Sequence, residues 1–487
     1  MRATFSGFEA IRKALMASQI NLDVTSQNVS NVNTKGYTRQ RADVTSISPD
    51  TTASKYAVTN AGLVGQGVEV TGISQTRDQF LDARYRKNNA ESGKWSTSLA
   101  IMTDIETVID ETTTDGLSAS LTDFYNELQN FSSNAETVEY ASTFRAAAKK
   151  VVEIFNQYSN QLSDVKEEQI FDCSSDVDTV NRSLERIAQL NSEIKSDLVR
   201  GTTPNELLDS RNLLLDDLSG LLGVSIEAQT DGQVSIKLGD EYLLDSQKSN
   251  YLNELVLDSS GGYVEITLED GSAASITSGA ISGYLNGING KGIFAADSEN
   301  STNGIAYFQE SINALAKAFG DNFNKINDST GINKLFIGDS DGKITAANIQ
   351  LSQDWLANAE FITRSTNPSG TTDTTEGENG NLLLMLQSMD AKQSVTPYFS
   401  GTFEEFSVSV IGDAATNVEY AKDMSVSARV DLKSIANQRE SISGVSTDEE
   451  SVNMIKYQKS YDAAARIMTV LDEMLDTIIN DIGVVGQ

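Results

Sequence analysis

Acidic residues in two short segments could bind a metal ion or perform acid–base catalysis. Residues 339–343 read Asp-Ser-Asp-Gly-Lys, like the start of a calcium-binding loop. The segment lacks the third acid and the later bidentate Glu of an EF-hand, so a surface turn is the favoured interpretation. The second segment, Asp448, Glu449 and Glu450, is better explained as the first turn of a helix capped by Thr447, where acids complement the helix dipole.

Composition restricts other catalytic chemistry. The chain contains no His, which excludes His-based acid–base catalysis, Ser–His–Asp triads and His metal sites. Its one Cys, Cys173, cannot form an intrachain disulfide, and we interpret it as an incidental small residue. Gly283, Gly287 and Gly290 are not followed by the Lys-Ser or Lys-Thr of a phosphate-binding loop. We therefore expect a protein that is not an enzyme and uses no metal or cofactor.

Charge and hydropathy restrict the partners. The formal net charge is -32, from 69 acidic and 37 basic residues, so nucleic acid is not an expected partner. No stretch reaches the roughly 18–20 apolar residues that a membrane span needs. Polar and charged residues interrupt the first 30 residues, so we expect neither a cleaved signal peptide nor a membrane partner.

The strongest periodic signal lies near the C-terminus. Nine apolar positions alternate between spacings of three and four, which predicts a coiled-coil helix; they are Met454, Tyr457, Tyr461, Ala464, Met468, Leu471, Leu475, Ile478 and Ile482. A weaker stripe of the same kind, interrupted by Ser18 and Thr25, includes Phe8, Ile11, Leu15 and Leu22. Burying one such side chain contributes about 1.5–3 kcal/mol. The C-terminal helix is therefore expected to pair with the N-terminal helix or with neighbouring subunits; packing inside its own domain is the alternative.

The middle of the chain is predicted to be helical first and then mixed. Residues 79–222 carry narrow apolar stripes typical of long packed helices, with a helix start predicted at Thr203, Pro204 and Glu206. In residues 224–275, alternating apolar residues around turn dipeptides predict β-hairpins. A helix is expected again at about 307–326.

The remaining segments are predicted from composition. Residues 365–381 are rich in Thr, Ser, Gly and Glu and are expected to form an exposed loop. From about residue 412 the chain is expected to be helical again, with a break near Ser443 and Gly444.

Three groups of residues resemble the motifs of one protein family. Residues 26–37, Ser-Gln-Asn-Val-Ser-Asn-Val-Asn-Thr-Lys-Gly-Tyr, are similar to the motif shared by flagellar rod, hook and hook-associated proteins, and Thr38-Arg39-Gln40 has the form typical of the FlgK family. Residues 443–450, Ser-Gly-Val-Ser-Thr-Asp-Glu-Glu, followed by Tyr457-Gln458, resemble that family's C-terminal signature. Residues 206–211, Glu-Leu-Leu-Asp-Ser-Arg, resemble its helical-domain motif. The resemblance assigns an assembly role to Asn28, Asn31, Asn33, Thr34, Gly36 and Tyr37.

The resemblance implies a mainly α fold: a terminal α-helical coiled coil plus an elongated helical-bundle domain with a smaller β-rich portion. The expected domains are residues 1–75 with 445–487 for the coiled coil and an adjoining extended segment, 76–223 with 300–444 for the helical bundle, and 224–299 for a β-rich subdomain. Residues 331–384 are short and loop-like, so the large outer β insertion of many family members is expected to be absent or vestigial.

The resemblance also implies a structural subunit at the hook–filament junction of the bacterial flagellum, assembled through its terminal helices. The implied partners are other copies of the chain, the hook protein, a second hook-associated protein (FlgL), and the export chaperone FlgN at about residues 452–482. The implied location is extracellular, after export by the flagellar type III apparatus without a cleaved signal.

Two other classes remain as alternatives. Another flagellar axial protein is the first, but flagellin lacks the N-terminal motif, and the hook protein would be mostly β where residues 96–222 are helical. An enzyme or adhesin carried on the flagellum is the second, and the absence of His argues against a hydrolase.

Overall fold

The computed structural model describes residues 6–47, 65–109, 116–296, 300–365 and 379–477. The predicted fold class is confirmed: long helices dominate, and the strands form small antiparallel sheets. The helices are α1 Ser6–Ser30, α2 Gln79–Ile109, α3 Leu117–Ser133, α4 Val138–Val199, α5 Asn205–Leu221, α6 Ala280–Asn289, α7 Ile305–Asn327, α8 Gln353–Ala357, α9 Gly380–Asp390, α10 Phe403–Ser443 and α11 Thr447–Asp476. The strands are β1 Gln40–Ser46, β2 Val68–Gln75, β3 Ser225–Ala228, β4 Val234–Leu238, β5 Glu241–Asp245, β6 Tyr251–Leu252, β7 Leu255–Asp258, β8 Glu265–Leu268, β9 Phe336–Ile337, β10 Gln350–Leu351, β11 Gln393–Thr396 and β12 Phe399–Gly401.

The two ends of the chain come together in one unit, which we name the terminal unit and which consists of α1, β1, β2 and α11. α1 and α11 are antiparallel, because Gly7 lies near Leu471 at one end and Asn28 bonds to Glu450 at the other. The β1–β2 hairpin packs on α1, where Gly67, with φ +96°, lies against the backbone of Ala10. α1 is therefore covered by both the hairpin and α11.

A second row of side chains on α1 explains why it contacts two neighbours. Ala17 and Val24 are buried, and Ala10, Ala14 and Asn21 are half-buried. Its members are spaced by three and four residues and therefore form one row, and at about 100° per residue this row lies roughly 110° round the helix from the predicted stripe. α1 thus has a wider buried face than the predicted stripe alone would cover.

The largest apolar core joins α3, the first half of α4, α7, α9 and α10. At its centre Phe319 contacts five other rings, with centroid distances of 4.8–6.2 Å. Residues 335–362 contribute buried side chains, including Phe336 and Trp355, although they form little regular structure. The predicted loop-like segment is therefore part of the core. Within the described part of residues 331–384, the strands β9 and β10 are only two residues long. Most of the predicted loop 365–381 lies outside the described ranges.

The second apolar core lies between the four-stranded sheet β3–β4–β5–β6, the second half of α4, and α5. The predicted hairpin around Asp231 and Gly232 is confirmed, because β3 and β4 pair antiparallel from Ser225↔Lys237 to Ala228↔Val234. Asn191 of α4 attaches the sheet: it donates to the Val234 carbonyl at 2.8 Å and accepts from the Val234 amide at 3.2 Å.

Helix α6 lies inside the range expected to be β-rich, and the glycines there have a packing role. α6 packs against α2, and a Cβ at Gly287 would lie 2.5 Å from Ile101 Cδ1. A Cβ at Gly283 would lie 2.8 Å from the Lys94 carbonyl oxygen. Only glycine allows this close approach of the two helices.

Three predicted helix starts are displaced. Pro204, with φ −86° and ψ 75°, takes the N-cap position of α5, so the helix begins at Asn205 and Thr203 is not the cap. Ser446 caps α11 and accepts from the Glu449 amide, so Thr447 is the first helical residue. α10 begins at Phe403, earlier than residue 412, because Thr402 forms a complete capping box with Glu405.

Candidate assembly site

The predicted seam of α11 faces α1. Ala464 is buried at 8% exposure, Tyr461 is 39% exposed, and the other described seam residues are half-buried: Met454, Tyr457, Met468, Leu471 and Leu475. Ile478 and Ile482 lie outside the described residues. On α1, the predicted residues Phe8, Ile11, Leu15 and Leu22 are also half-buried. The seam is thus occupied within the chain, which is one of the two pairings that the sequence allowed.

A second apolar stripe on α11 is exposed, and the sequence reasoning missed it. We name it the outer stripe; its members and their exposed fractions are Val452 65%, Ile455 58%, Ile467 51%, Val470 47% and Met474 56%. At about 100° per residue, Val452 and Ile455 lie nearly opposite the seam, whereas Ile467, Val470 and Met474 lie roughly 100° from it, on the flank of α11. The apolar spacings 452–455 and 467–470–474 could have been recognised in the sequence, but the prediction used only the longer and more regular pattern of the seam.

The N-terminal and C-terminal motifs meet at the base of the terminal unit, in a cluster we name the joint. Asn28 is the central residue: its amide donates to the Gln40 carbonyl at 2.9 Å and to Glu450 Oε2 at 3.2 Å. Its Oδ1 accepts from the Gln40 amide at 3.0 Å and from the Tyr37 hydroxyl at 2.9 Å. Burial and the charges of Asp209, Glu206 and Glu450 raise the pKa of Tyr37 to about 12, so the phenol remains a proton donor.

Arg39 connects three parts of the joint. Its guanidinium donates to the buried carboxylate of Glu450, with Nη2 at 2.7 Å and Nε at 2.9 Å from Oε1, and Nη1 lies 3.3 Å from Glu449 Oε2. Its backbone amide donates to the Ser443 carbonyl at 2.9 Å, and its carbonyl accepts from the Thr76 amide at 2.8 Å. Charge-assisted bonds of this kind are stronger than neutral ones.

The helical-domain motif supplies the other side of the joint. Asp209 of α5 accepts from the Thr38 amide at 3.1 Å and from the Gln75 side chain at 2.9 Å. Burial raises the pKa of Asp209, and the bonds from Thr38 and Gln75 with the nearby Arg77 partly offset that rise. Asn205 donates to the Ile73 carbonyl at 3.2 Å. The motif quoted from residues 206–211 therefore contacts the N-terminal motif directly.

The arginine of the same motif lies elsewhere. Arg211 is buried and donates to Asn191 Oδ1 at 3.0 Å and to the Gly232 carbonyl at 2.7 Å, so it holds α5 to α4 and the sheet. Burial lowers its pKa to about 10, which leaves the guanidinium charged near neutral pH.

The remaining motif residues form the turn after α1. Asn31 donates to the Gln27 carbonyl at 3.0 Å and accepts from the Thr34 hydroxyl at 3.2 Å, and Asn33 is exposed. Gly36 has φ +82°, and a Cβ there would lie 3.3 Å from Leu213 Cβ. The turn thus needs glycine for both its backbone conformation and its approach to α5.

The residues considered for ion binding or catalysis have structural partners. Asp339 Oδ1 accepts from the amides of Asp341 and Lys343, which makes the segment a turn. Burial raises the pKa of Cys173 to about 12, so its thiol is not a nucleophile near neutral pH. Among the described residues, no group of acidic or Cys side chains is arranged to hold a metal ion. None of the helices in the described ranges combines the length and apolarity needed to cross a bilayer.

Comparisons with known proteins match the chain in the same regions. The family model "Flagellar hook-associated protein FlgK helical domain" matches residues 102–334. "Flagella basal body rod protein" matches residues 9–38, and "Flagellar basal body rod FlgEFG protein C-terminal" matches 436–481. The two rod models therefore cover most of α1 with the turn after it, and α11 with the end of α10.

Whole-chain comparisons agree. "Flagellar hook-associated protein 1" of Bacillus subtilis is 29% identical over 523 residues, covering 100% of both chains, and that of Escherichia coli is 24% identical over 555 residues, covering 96% of this chain and 98% of the relative. The solved flagellar hook junction protein FlgK from Burkholderia pseudomallei has a TM-score of 0.61 at 14% identity and covers 74% of this chain and 100% of its own. The chain belongs to the FlgK family of flagellar hook-associated proteins.

Proposed function

We propose that the chain is a structural subunit of the bacterial flagellum that forms the hook–filament junction and assembles through the paired helices α1 and α11. The observation that carries the proposal is the outer stripe, five apolar side chains left exposed on a helix whose seam is already paired with α1. Ile467, Val470 and Met474 are neighbours at spacings of three and four, and an exposed apolar patch of this kind is typical of an interaction surface. The role requires no catalysis.

The distribution of charge supports contact between copies at the terminal unit. Residues 1–75 and 445–487 together contain 10 basic and 13 acidic residues, whereas residues 76–444 contain 27 basic and 56 acidic residues. The ends are therefore close to neutral, and the rest of the chain carries most of the net charge. Because like charges repel, copies can pack at their ends more easily than along their bodies. This supports a separate terminal domain of residues 1–75 with 445–487; we further propose that 76–223 with 300–444 and 224–299 form the other two domains.

Replacing Ile467 and Val470 by Asp is expected to abolish self-association, because two charges would have to be buried in the interface. Val426 and Val430 of α10, exposed at 53% and 61%, supply the matched control. The double Asp variant at these positions should associate normally. Sedimentation of both purified variants measures self-association, and binding to isolated hooks measures assembly. Normal association of the Ile467→Asp/Val470→Asp chain would contradict the role of the outer stripe.

The location is tested separately from the interface. We propose that the protein lies outside the cell, after export by the flagellar type III apparatus without a cleaved signal, and contacts the hook protein on one side and FlgL on the other. Immunogold labelling of isolated flagella should place this chain between hook and filament. Label along the whole filament would instead indicate a flagellin-like role.

We propose that the chaperone FlgN binds the seam of α11 before export and therefore competes with α1 for it. Leu471→Asp or Leu475→Asp is expected to weaken this binding by tenfold or more, roughly the effect of losing one buried apolar contact. Calorimetry with FlgN measures the affinity. Thr469→Asp, at an exposed position of the same helix, is the control. If Leu471→Asp and Leu475→Asp bound FlgN as tightly as this control does, the seam would be excluded as the binding face.

A further inference from the structure

The chain repeatedly closes the free edge of a strand with the side-chain amide of an asparagine. Such an amide can donate to the carbonyl and accept from the N–H of one residue, which is the pair of bonds that a neighbouring strand makes. Five asparagines do this at distances of 2.7–3.2 Å: Asn28 with Gln40, Asn181 with Leu255, Asn191 with Val234, Asn289 with Val264, and Asn324 with Phe336.

One edge of the four-stranded sheet is left open, at Leu252 of β6. Asn253 donates to the Leu243 carbonyl at 3.0 Å, and bonded pairs alternate with non-bonded pairs along an antiparallel ladder. The N–H and C=O of Leu252 therefore point away from β5. In the part of the chain that the structure describes, neither group has a hydrogen-bond partner.

A cleft of about 360 Å³ lies along this open edge. Asn250 and Leu252 line it on one side, and residues of α4 line it on the other: Glu185, Ala188, Gln189 and Ser192. The side chain of Asn250 ties the two walls together, because its Oδ1 accepts from Asn191 at 3.2 Å and its Nδ2 donates to Ser192 Oγ at 3.1 Å. The cleft is therefore formed in the unbound chain, which lowers the cost of binding.

Glu185 gives the cleft a negative charge. Its carboxylate forms no ion pair with any described residue. The next residue, Arg186, donates instead to Gln189 Oε1 at 2.9 Å and lies 4.0 Å from Glu193. A basic side chain that enters the cleft therefore meets a carboxylate without a counter-charge.

We propose that the cleft binds an extended segment of a neighbouring protein chain, which adds to β6 as a fifth strand and places a Lys or Arg beside Glu185. The main chain of this segment supplies to Leu252 the two bonds that asparagines supply at the other edges. The volume of the cleft suits a peptide of a few residues better than a single side-chain amide. In strand addition of this kind, main-chain bonds give affinity and side-chain contacts give specificity.

A labelled pentapeptide tests the cleft on the full-length chain. The probe is fluorescein-Thr-Val-Lys-Val-Thr-amide, and its fluorescence anisotropy measures binding. Leu252→Pro removes the outward N–H without removing a bond to β5, so we expect it to weaken binding about fivefold or more. Ile226→Pro is the matched control and should bind normally. Ile226 of β3 points outward in the same way at the opposite edge and packs against the same core, but it lies outside the cleft.

Two changes to the probe test the same chemistry without altering the protein. A peptide with every amide N-methylated cannot donate to the edge, and a peptide with Glu in place of Lys is repelled by Glu185. Each is expected to bind about fivefold more weakly or less.

The proposed strand addition is refuted if the two proline variants bind equally or if the N-methylated peptide binds as tightly as the unmodified one. It is also refuted if the native chain does not bind the unmodified peptide at roughly millimolar concentration. Equal binding of the Glu peptide would refute the preference for a basic segment. None of these outcomes depends on whether the chain joins hooks.

Discussion

A chain ending at Gly444 is expected to keep its helical body and to lose all ability to build the junction. Truncation removes α11, so the seam face of α1 loses its partner and Arg39 and Asn28 lose Glu450. Both apolar cores lie outside the deleted segment and should persist. The measurement is filament formation in cells lacking the native protein, with circular dichroism of the purified truncated chain. Filaments at the normal number would show that α11 is not needed.

A substitution separates the loss of helix pairing from the loss of chain length. Ala464 is buried in the seam, and its neighbour Ala463 is exposed. Ala464→Arg is expected to make the amides of α1 and α11 exchange at least tenfold faster, since about 1.4 kcal/mol of lost pairing energy already gives that factor. Ala463→Arg should leave exchange of the α1 amides unchanged. Equal exchange in the two variants would contradict pairing through the seam.

Helices with clear apolar stripes were predictable from the sequence, and those formed under other constraints were not. The stripes on α4, α7 and α11 follow the 3.6-residue period because each of these helices buries a face against its neighbours. The α6 helix was missed because its glycines lower intrinsic helix propensity. They are present for close packing on α2, and that requirement is visible only once both helices are placed. The capping box of Thr402 and Glu405 was a readable signal for α10 that the prediction did not use.

The joint shows the limit of prediction from sequence more clearly. The motifs containing Asn28 and Glu450 could be recognised, but the two residues are 422 positions apart, and no local rule pairs them. Their contact depends on α1 and α11 being antiparallel and in one register. The irregular segment 335–362 was missed for a related reason: without a period, nothing in the sequence distinguishes its buried Phe336 and Trp355 from loop residues.

Phe319→Ala is expected to lower the free energy of unfolding of the main core by about 3–5 kcal/mol, the usual cost of deleting a buried phenyl ring. The ring is fully buried and lies 4.8 Å from Phe323, 5.2 Å from Phe124 and 5.2 Å from Phe336, measured between centroids. Rigid neighbours of this kind cannot collapse into the space that the substitution leaves. Urea unfolding followed by tryptophan fluorescence measures the change, because Trp355 lies in the same cluster, 5.6 Å from Phe336.

Phe171→Ala is the control for Phe319→Ala. The comparison also tests whether the main core and the terminal unit are stabilised independently. Phe171 lies on α4 and is 73% exposed, so the same deletion there should change the free energy of unfolding by no more than about 0.5 kcal/mol. Because neither apolar core extends into the terminal unit, Phe319→Ala should also leave the Arg39–Glu450 ion pair and the α1–α11 pairing unchanged at low denaturant. Faster amide exchange in α1 and α11 of the Phe319→Ala chain, before its core unfolds, would mean that core and joint are coupled after all.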